Sequence, residues 1–552
     1  MKRFIIASLT IALLSACGGG SSSGSAPTVV PSPAPPSTPA PDPNPERITT
    51  AAGVRFLRQA TFGPTQANLT RLQQLGYSAW IDEQLRRSPS LQLTYMDTLP
   101  TPDDIYVAQS NRMEAWLQNA ITANDQLRQR VAFALSEIMV VSESSMLINF
   151  ANGMAHYYDL LSRSAFGNYR DLLEGVTLHP TMGIYLSVLG NEKPNAALNI
   201  RPDENYARES MQLFSIGLVE LSLDGSQRLD AFGLPIPTYN QQVIEGFAHV
   251  YTGWTFAESI DFHTPSYRFR QPMQAFPAFH DTDVKTLFPD VVLPANQSAK
   301  EDLDGALDAI FEHPNVGPFI SLRLIQRLVS ANPSSAYIER VATVFNSDSM
   351  GVRGNLGAVV KAILLDPEAR SDIPTATSGK LVEPILRLTG LWRAYGARSQ
   401  DQRYVFPRPE KHFAQAPLRS PSVFNFFSPD YSPSGEIGDL GLVSPELQIA
   451  NETTVVTTNN FLATAIFLWN SEIQDLAPST IYIDIQSDLA FASDAEDLVD
   501  RVAERLLGGV ISSAARDQAI TMVNAIAENE SAFRVSEAIH AIATSLDYAI
   551  LQ

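Results

Sequence analysis

The chain has 552 residues, 45% of them apolar, which is material for one large core or, at roughly 100–200 residues per domain, two to four smaller ones. Its 59 acidic residues outnumber 39 basic ones, and the resulting formal charge of −20 argues against nucleic acid as a partner, since nucleic-acid binders present a basic face to phosphates. A single cysteine excludes a disulfide scaffold and a cysteine-built zinc or iron–sulfur centre.

Lys2 and Arg3 precede an apolar run over residues 4–14. That run is too short for the roughly 20 helical residues a bilayer core requires, so it reads as a secretory signal. It ends Leu14-Ser15-Ala16-Cys17-Gly18, small residues before the only cysteine, which matches the lipobox of bacterial lipoproteins. Residues 1–16 are therefore expected to be a signal peptide and Cys17 the acylated N-terminus, with Gly18 resembling the sorting position of outer-membrane lipoproteins. Acyl chains on Cys17 are the membrane partner this predicts. Residues 17–47 form a linker, rich in Gly and Ser and then holding nine prolines between Pro27 and Pro45. A polyproline stretch rises about 3.1 Å per residue, so this part spans roughly 60 Å as a disordered, semi-rigid stalk.

Beyond Ile48 the apolar period is helical. A stretch opened by Pro64 carries Leu69, Leu72, Leu75, Trp80, Ile81 and Leu85. Asn124 or Asp125 caps a helix with Leu127, Val131, Leu135 and Ile138 on one face. Helices follow at 154–161, 169–178, 181–189 and 202–217, the last with proline at its start and Gly217 at its end. More are predicted at 241–251, 301–311, 318–330, 334–345, 356–365, 380–395, 445–469, 495–507, 514–527 and 532–546. Strand signals are few: a hairpin around Asp224-Gly225, and proline-interrupted edge strands or ordered loops at 267–279 and 286–293. The expected fold is mainly α, one large multi-helical domain with a few short strands. A family domain over 48–470 is followed by a C-terminal helical subdomain or extension over 471–552.

Several segments carry a resemblance: 56–64, 127–135, Asp203-Glu204-Asn205-Tyr206-Ala207-Arg208-Glu209 with 212–214, 251–254, 313–319 and 421–425. Together they resemble the bacterial family catalogued as domain of unknown function 1800, in the form of an exported, lipoprotein-type member, over about residues 50–469. The resemblance implies export and a neighbouring sulfatase-like exported protein as a partner, without implying a reaction. Many relatives carry Phe-Trp-His-Asn-His where this chain has Phe133-Ala134-Leu135-Ser136-Glu137, so a metal site on those histidines is not expected here.

Residues 203–218 form the most chemically loaded helix. Glu204 and Arg208 stand at i,i+4 and can pair as an ion pair or an anion site. Glu209 is either part of an internal ion-pair network or a general base at a cleft. His249 follows Glu245 by one helical turn, a spacing that suits a base–orienter couple. His280 and Asp281 lie in a long irregular segment, where functional residues tend to sit. No motif demands a cofactor; a site joining Glu209, His249, His280 and Asp281 has the chemistry for a divalent metal if the four converge. The sequence has no His-Glu-x-x-His and no Gly-x-Ser-x-Gly, which excludes the common zinc-protease and serine-hydrolase signatures. Three readings of function follow: an accessory or scaffold lipoprotein at the outer membrane, an envelope hydrolase using those acidic and histidine residues, and a polysaccharide binder using Phe424, Phe426, Phe427 and Tyr431. Of the basic residues 32 are arginine and only seven lysine, for which codon usage is the simplest account.

Overall fold

Thr49 begins the first helix, Thr50–Ala60, by accepting the Ala52 amide at 3.2 Å, the usual work of an N-cap hydroxyl. In the computed structural model, which describes residues 48–375 and 377–551, the chain then continues through mainly helical structure. The signal segment, Cys17 and the linker lie outside the described residues. All that is described falls within one compact unit, Glu46–Gln552.

The centre is the helix Gln126–Ser136, every residue of which is buried. It packs against Thr50–Ala60, Tyr77–Leu85, Ile105–Thr122, Ala151–Ser164 and Val316–Leu328, so no face is left for water. Phe133 belongs to an aromatic group with Phe62 and Trp116, whose ring centroids lie 5.2 Å apart edge to face. Such pairs add about 0.5–1.5 kcal/mol beyond the area they bury. Asp125 precedes this helix, yet its carboxylate serves other groups, the Ser90 amide at 2.9 Å and the Gln129 amide at 3.0 Å.

Beyond this centre, Val316–Leu328, Ser335–Asn346 and Leu356–Leu365 pack on one another. The C-terminal helices Ala495–Leu507, Ser513–Asn524 and Ser531–Ala543 form a tight group that also contacts Thr50–Ala60 and Pro384–Ala394. Ile550–Leu551 pairs antiparallel with Lys380–Leu381, tying the end of the chain to its middle. Two further ribbons are Trp254–Thr255 with Gln274–Ala275, and Lys285–Phe288 with Val291–Leu293. The hairpin expected at Asp224-Gly225 is present, closed by a Leu221–Gln227 bridge, with Gly225 at φ +79°.

Some boundaries differ from expectation, for local reasons. The segment predicted as a helix over 380–395 is a strand followed by Pro384–Ala394, because a proline disfavours helical backbone in the residue before it. The loaded helix spans Asn205–Gln212 rather than 202–217; its last turns widen, with the Gly217 amide bonding the Met211 carbonyl at 3.0 Å and Gly217 itself left-handed at φ +71°. The longest helix among the described residues, Ile105–Thr122, is not among the predicted ones. Its buried face carries Gln109, Arg112, Glu114 and Asn119, which hide the apolar period.

Candidate functional site

His249 lies in the last turn of the helix Gln241–Val250, and its Nδ1 is hydrogen-bonded to Asp281 Oδ2. Burial raises the Asp281 carboxyl, but the bond to His249, the Asp283 amide and the charges of His249 and Lys285 outweigh it and hold the group at about 2. His280, the next residue back, points elsewhere: its Nε2 bonds Asp302 Oδ2 at 2.9 Å, and Lys285 Nζ meets the same oxygen at 2.7 Å. These three side chains are buried and form an internal charge network. Thr252 links both halves, donating to the His249 carbonyl at 2.8 Å and accepting the Asp281 amide at 2.9 Å. Gly253, at φ +86°, lets this loop close: a Cβ there would sit 2.8 Å from the His280 nitrogen.

Glu209 is not joined to these groups by any hydrogen bond among the described residues. It is half-buried, its Oε2 has no hydrogen-bond partner, and its electrostatic neighbours are Arg208, Tyr185 and Tyr239. Burial raises its carboxyl and Arg208 lowers it, with a net rise. Glu204 and Arg208 do pair, at 3.1 Å, with Gln241 donating to both Glu204 oxygens. Both side chains are substantially exposed, so this pair adds about 0–1 kcal/mol. His249 thus pairs with Asp281 and not with Glu245 one turn back, which accepts from Gln241 instead, while His280 and Glu209 belong to other surroundings. Among the described residues no three His, Cys, Asp or Glu side chains are placed to hold a metal ion.

A different set of residues surrounds a cavity of about 600 Å³. Leu213, Ile216, Phe319, Leu322 and Val423 supply apolar wall, and Phe424 stands at 57% exposure beside it. Glu137 and Arg327 line the same space, each only 4% exposed. Glu137 follows the last turn of the central helix, and Oε1 accepts Gln415 Nε2 at 3.2 Å, while Oε2 accepts from no neighbouring donor. Arg327 Nε is 3.6 Å from that Oε2, outside hydrogen-bond reach, and its guanidinium lies over the Phe427 ring at 4.6 Å. Behind Glu137 lies Glu383, which accepts the same Gln415 amide at 2.6 Å. Lys380 reaches Glu446 at 2.8 Å and Glu383 at 3.7 Å, and Arg130 donates to the Arg327 carbonyl at 2.6 Å.

Burial, the Glu383 charge and a bond to Glu383 push the Glu137 carboxyl up to about 8, against the pull of Arg327 and Arg130. Burial acts on Glu383 in the same sense, but Lys380, Arg130 and Arg327 lower it further. At neutral pH the pair therefore keeps one proton, on Glu137. A second cavity of about 610 Å³ has its charges already matched, with Arg270 bonding Asp97 at 2.9 Å near the surface. In the Glu137 cavity, by contrast, Glu137 Oε2 and Asn425 Nδ2 are buried without a hydrogen-bond partner.

Sequence reasoning missed Glu137, Arg327, Glu383 and Lys380, which come together from three distant stretches, Lys380 and Glu383 sharing one. A signal did exist: segments 212–214, 313–319 and 421–425, which carry the resemblance, supply Leu213, Phe319 and Asn425 to this cavity, and Glu137 ends the segment 133–137. A family model described as "Protein of unknown function (DUF1800)" matches residues 55–550. The chain belongs to this family. The DUF1800 match extends past residue 469 through the C-terminal helices, in keeping with the contacts that bind those helices to Thr50–Ala60. No curated protein and no solved structure matches the chain.

Proposed function

We propose that this DUF1800 member is a lipid-anchored accessory protein of the outer membrane whose helical body binds a small organic ligand in the Glu137 cavity. The observation that carries the reading is the combination of about 600 Å³ of space, apolar walls and two buried polar side chains facing it without full partners. Small-molecule sites have volumes of roughly 300–1,000 Å³, mostly apolar linings and a few convergent polar groups. The anchoring half rests on Cys17 and the linker. No helix among the described residues is long and apolar enough to cross a membrane.

The polysaccharide reading draws less support, because Phe426 and Phe427 are buried with Ile449, leaving Phe424 exposed and Tyr431 half-buried. The cavity is tested with benzyl alcohol as a neutral probe, by ligand-observed NMR on the detergent-solubilised full chain. Binding that weakens when Leu322→Trp narrows the space supports the reading; binding indifferent to that change, or no binding of this probe or of its charged analogues, removes it. Anchoring is tested by radiolabelled palmitate, which should enter the natural chain and not the Cys17→Ser variant. Label retained by Cys17→Ser refutes the assignment of the lipid to Cys17.

A further inference from the structure

We infer that the cavity takes an organic oxyanion, a carboxylate or a phosphate monoester, with its head against Arg327 beside Glu137 and its apolar part along Phe319 and Leu322. This deepens the binding reading and rests on it. The inference starts from charge. Three cations, Arg130, Arg327 and Lys380, are buried beside three carboxyl groups, Glu137, Glu383 and Glu446. Lys380 is held by Glu446 and Glu383, and its ammonium also donates to the Gln326 and Arg327 carbonyls at 2.8 and 3.1 Å. Of the two cations that line the cavity, Arg323 is held by both Asp430 oxygens at 2.9 and 3.1 Å, whereas the Arg327 guanidinium donates no hydrogen bond among the described residues. A buried guanidinium is stabilised by an oxyanion that accepts its forked donors, and carboxylate and phosphate both match that fork.

Glu137 decides when the place is open. Facing it are Arg130 on its own helix, Tyr158 from Ala151–Ser164, Arg327 from Val316–Leu328, then Glu383 and Gln415, with Lys380 and Glu446 behind. With its proton on, Glu137 is neutral and leaves one cation of the cluster unbalanced. Once ionised, it becomes the counter-ion of Arg327 itself and repels the ligand. Anion and ionised carboxylate are thus alternatives at one guanidinium. Affinity should be level below about pH 8 and fall tenfold per pH unit above it.

The experiment is calorimetry on the full chain with phenylacetate, phenyl phosphate, inorganic phosphate, benzyl alcohol and benzylamine at pH 6.5, and with the tighter-binding anion again at pH 9.5. Expected are binding of phenylacetate or phenyl phosphate at pH 6.5, the tighter of the two naming the head group, and a loss of about thirtyfold at pH 9.5. Inorganic phosphate binding as tightly as phenyl phosphate supports the head-group contact and overturns the role given to the apolar walls. Glu137→Gln should bind equally at both pH values, and Arg327→Gln at least tenfold more weakly than the natural chain. If only benzyl alcohol or benzylamine binds, the oxyanion inference falls while the cavity reading stands; if none of the five binds, both fall. A pH dependence that survives in Glu137→Gln overturns the exchange of counter-ions, even where Arg327→Gln fails to fold.

Discussion

Replacing Glu137 by glutamine should change how the protein's stability depends on pH, and by a calculable amount. In the fold this carboxyl keeps its proton to about pH 8, because burial and Glu383 oppose its ionisation; unfolded, it releases the proton near 4.5. Between those values the unfolded chain binds fewer protons than the folded one, so stability falls as pH rises. The slope is about 1.4 kcal/mol per pH unit, and over this span the loss reaches roughly 5 kcal/mol. Below pH 4.5 the contribution is complete; above about 8 it is gone. Glutamine cannot ionise and avoids this loss, while its side-chain oxygen can still accept from Gln415. Urea unfolding of both proteins at pH 5, 6.5 and 8 measures the difference directly. Asp159, also raised by burial, to about 6, contributes a slope of the same sign, but it is present in both proteins and cancels. The expected result is a variant that gains on the natural chain with each step up in pH. A difference that stays constant from pH 5 to 8 would refute a protonated Glu137, and with it the open Arg327.

Glu143 meets fully buried Arg112 and also Arg419, so Glu143→Leu should cost about 3–5 kcal/mol in urea unfolding, with Arg112→Met in the same chain restoring most of it. Gly253→Ala adds a side chain at φ +86° into the His280 backbone; thermal unfolding should show a loss of about 2 kcal/mol or more. Asp302→Asn leaves buried Lys285 without its carboxylate and should destabilise by about 3–5 kcal/mol, whereas Glu204→Gln, on an exposed pair, should stay within about 1 kcal/mol by the same assay.

What could be read from sequence, and what could not, divides on whether side chains answer to neighbours in the chain or far from it. Helices such as Ala495–Leu507 and Leu356–Leu365 were legible because their apolar residues recur on one face. Ile105–Thr122 was not, since its inward positions hold polar groups satisfied from a distance: Arg112 by Glu143, Glu114 by Arg403, Asn119 by the Ser90 carbonyl at 3.2 Å. The same physics concealed the cavity. Local reasoning selected acids and histidines near one another in the chain and coupled His249 with Glu245, whereas the fold pairs it with Asp281; nothing local announces that Glu137 meets Glu383 or that Arg327 turns toward both. Arginine usage holds the trace of this arrangement. Buried Arg393 donates to the Gly63 carbonyl at 2.8 Å and to Asn68 at 2.8 Å, and buried Arg534 bonds the Val523 carbonyl at 3.2 Å and Ile526 at 2.8 Å. A planar fork can satisfy several such acceptors at once, which a compact ammonium cannot do in the same geometry. The two deeply buried lysines sit where one point charge suffices, Lys285 on Asp302 and Lys380 on Glu446. A preference for arginine that codon usage explains in the sequence therefore has a structural use as well: buried forks close helix ends, and at Arg327 one such fork is left facing the cavity.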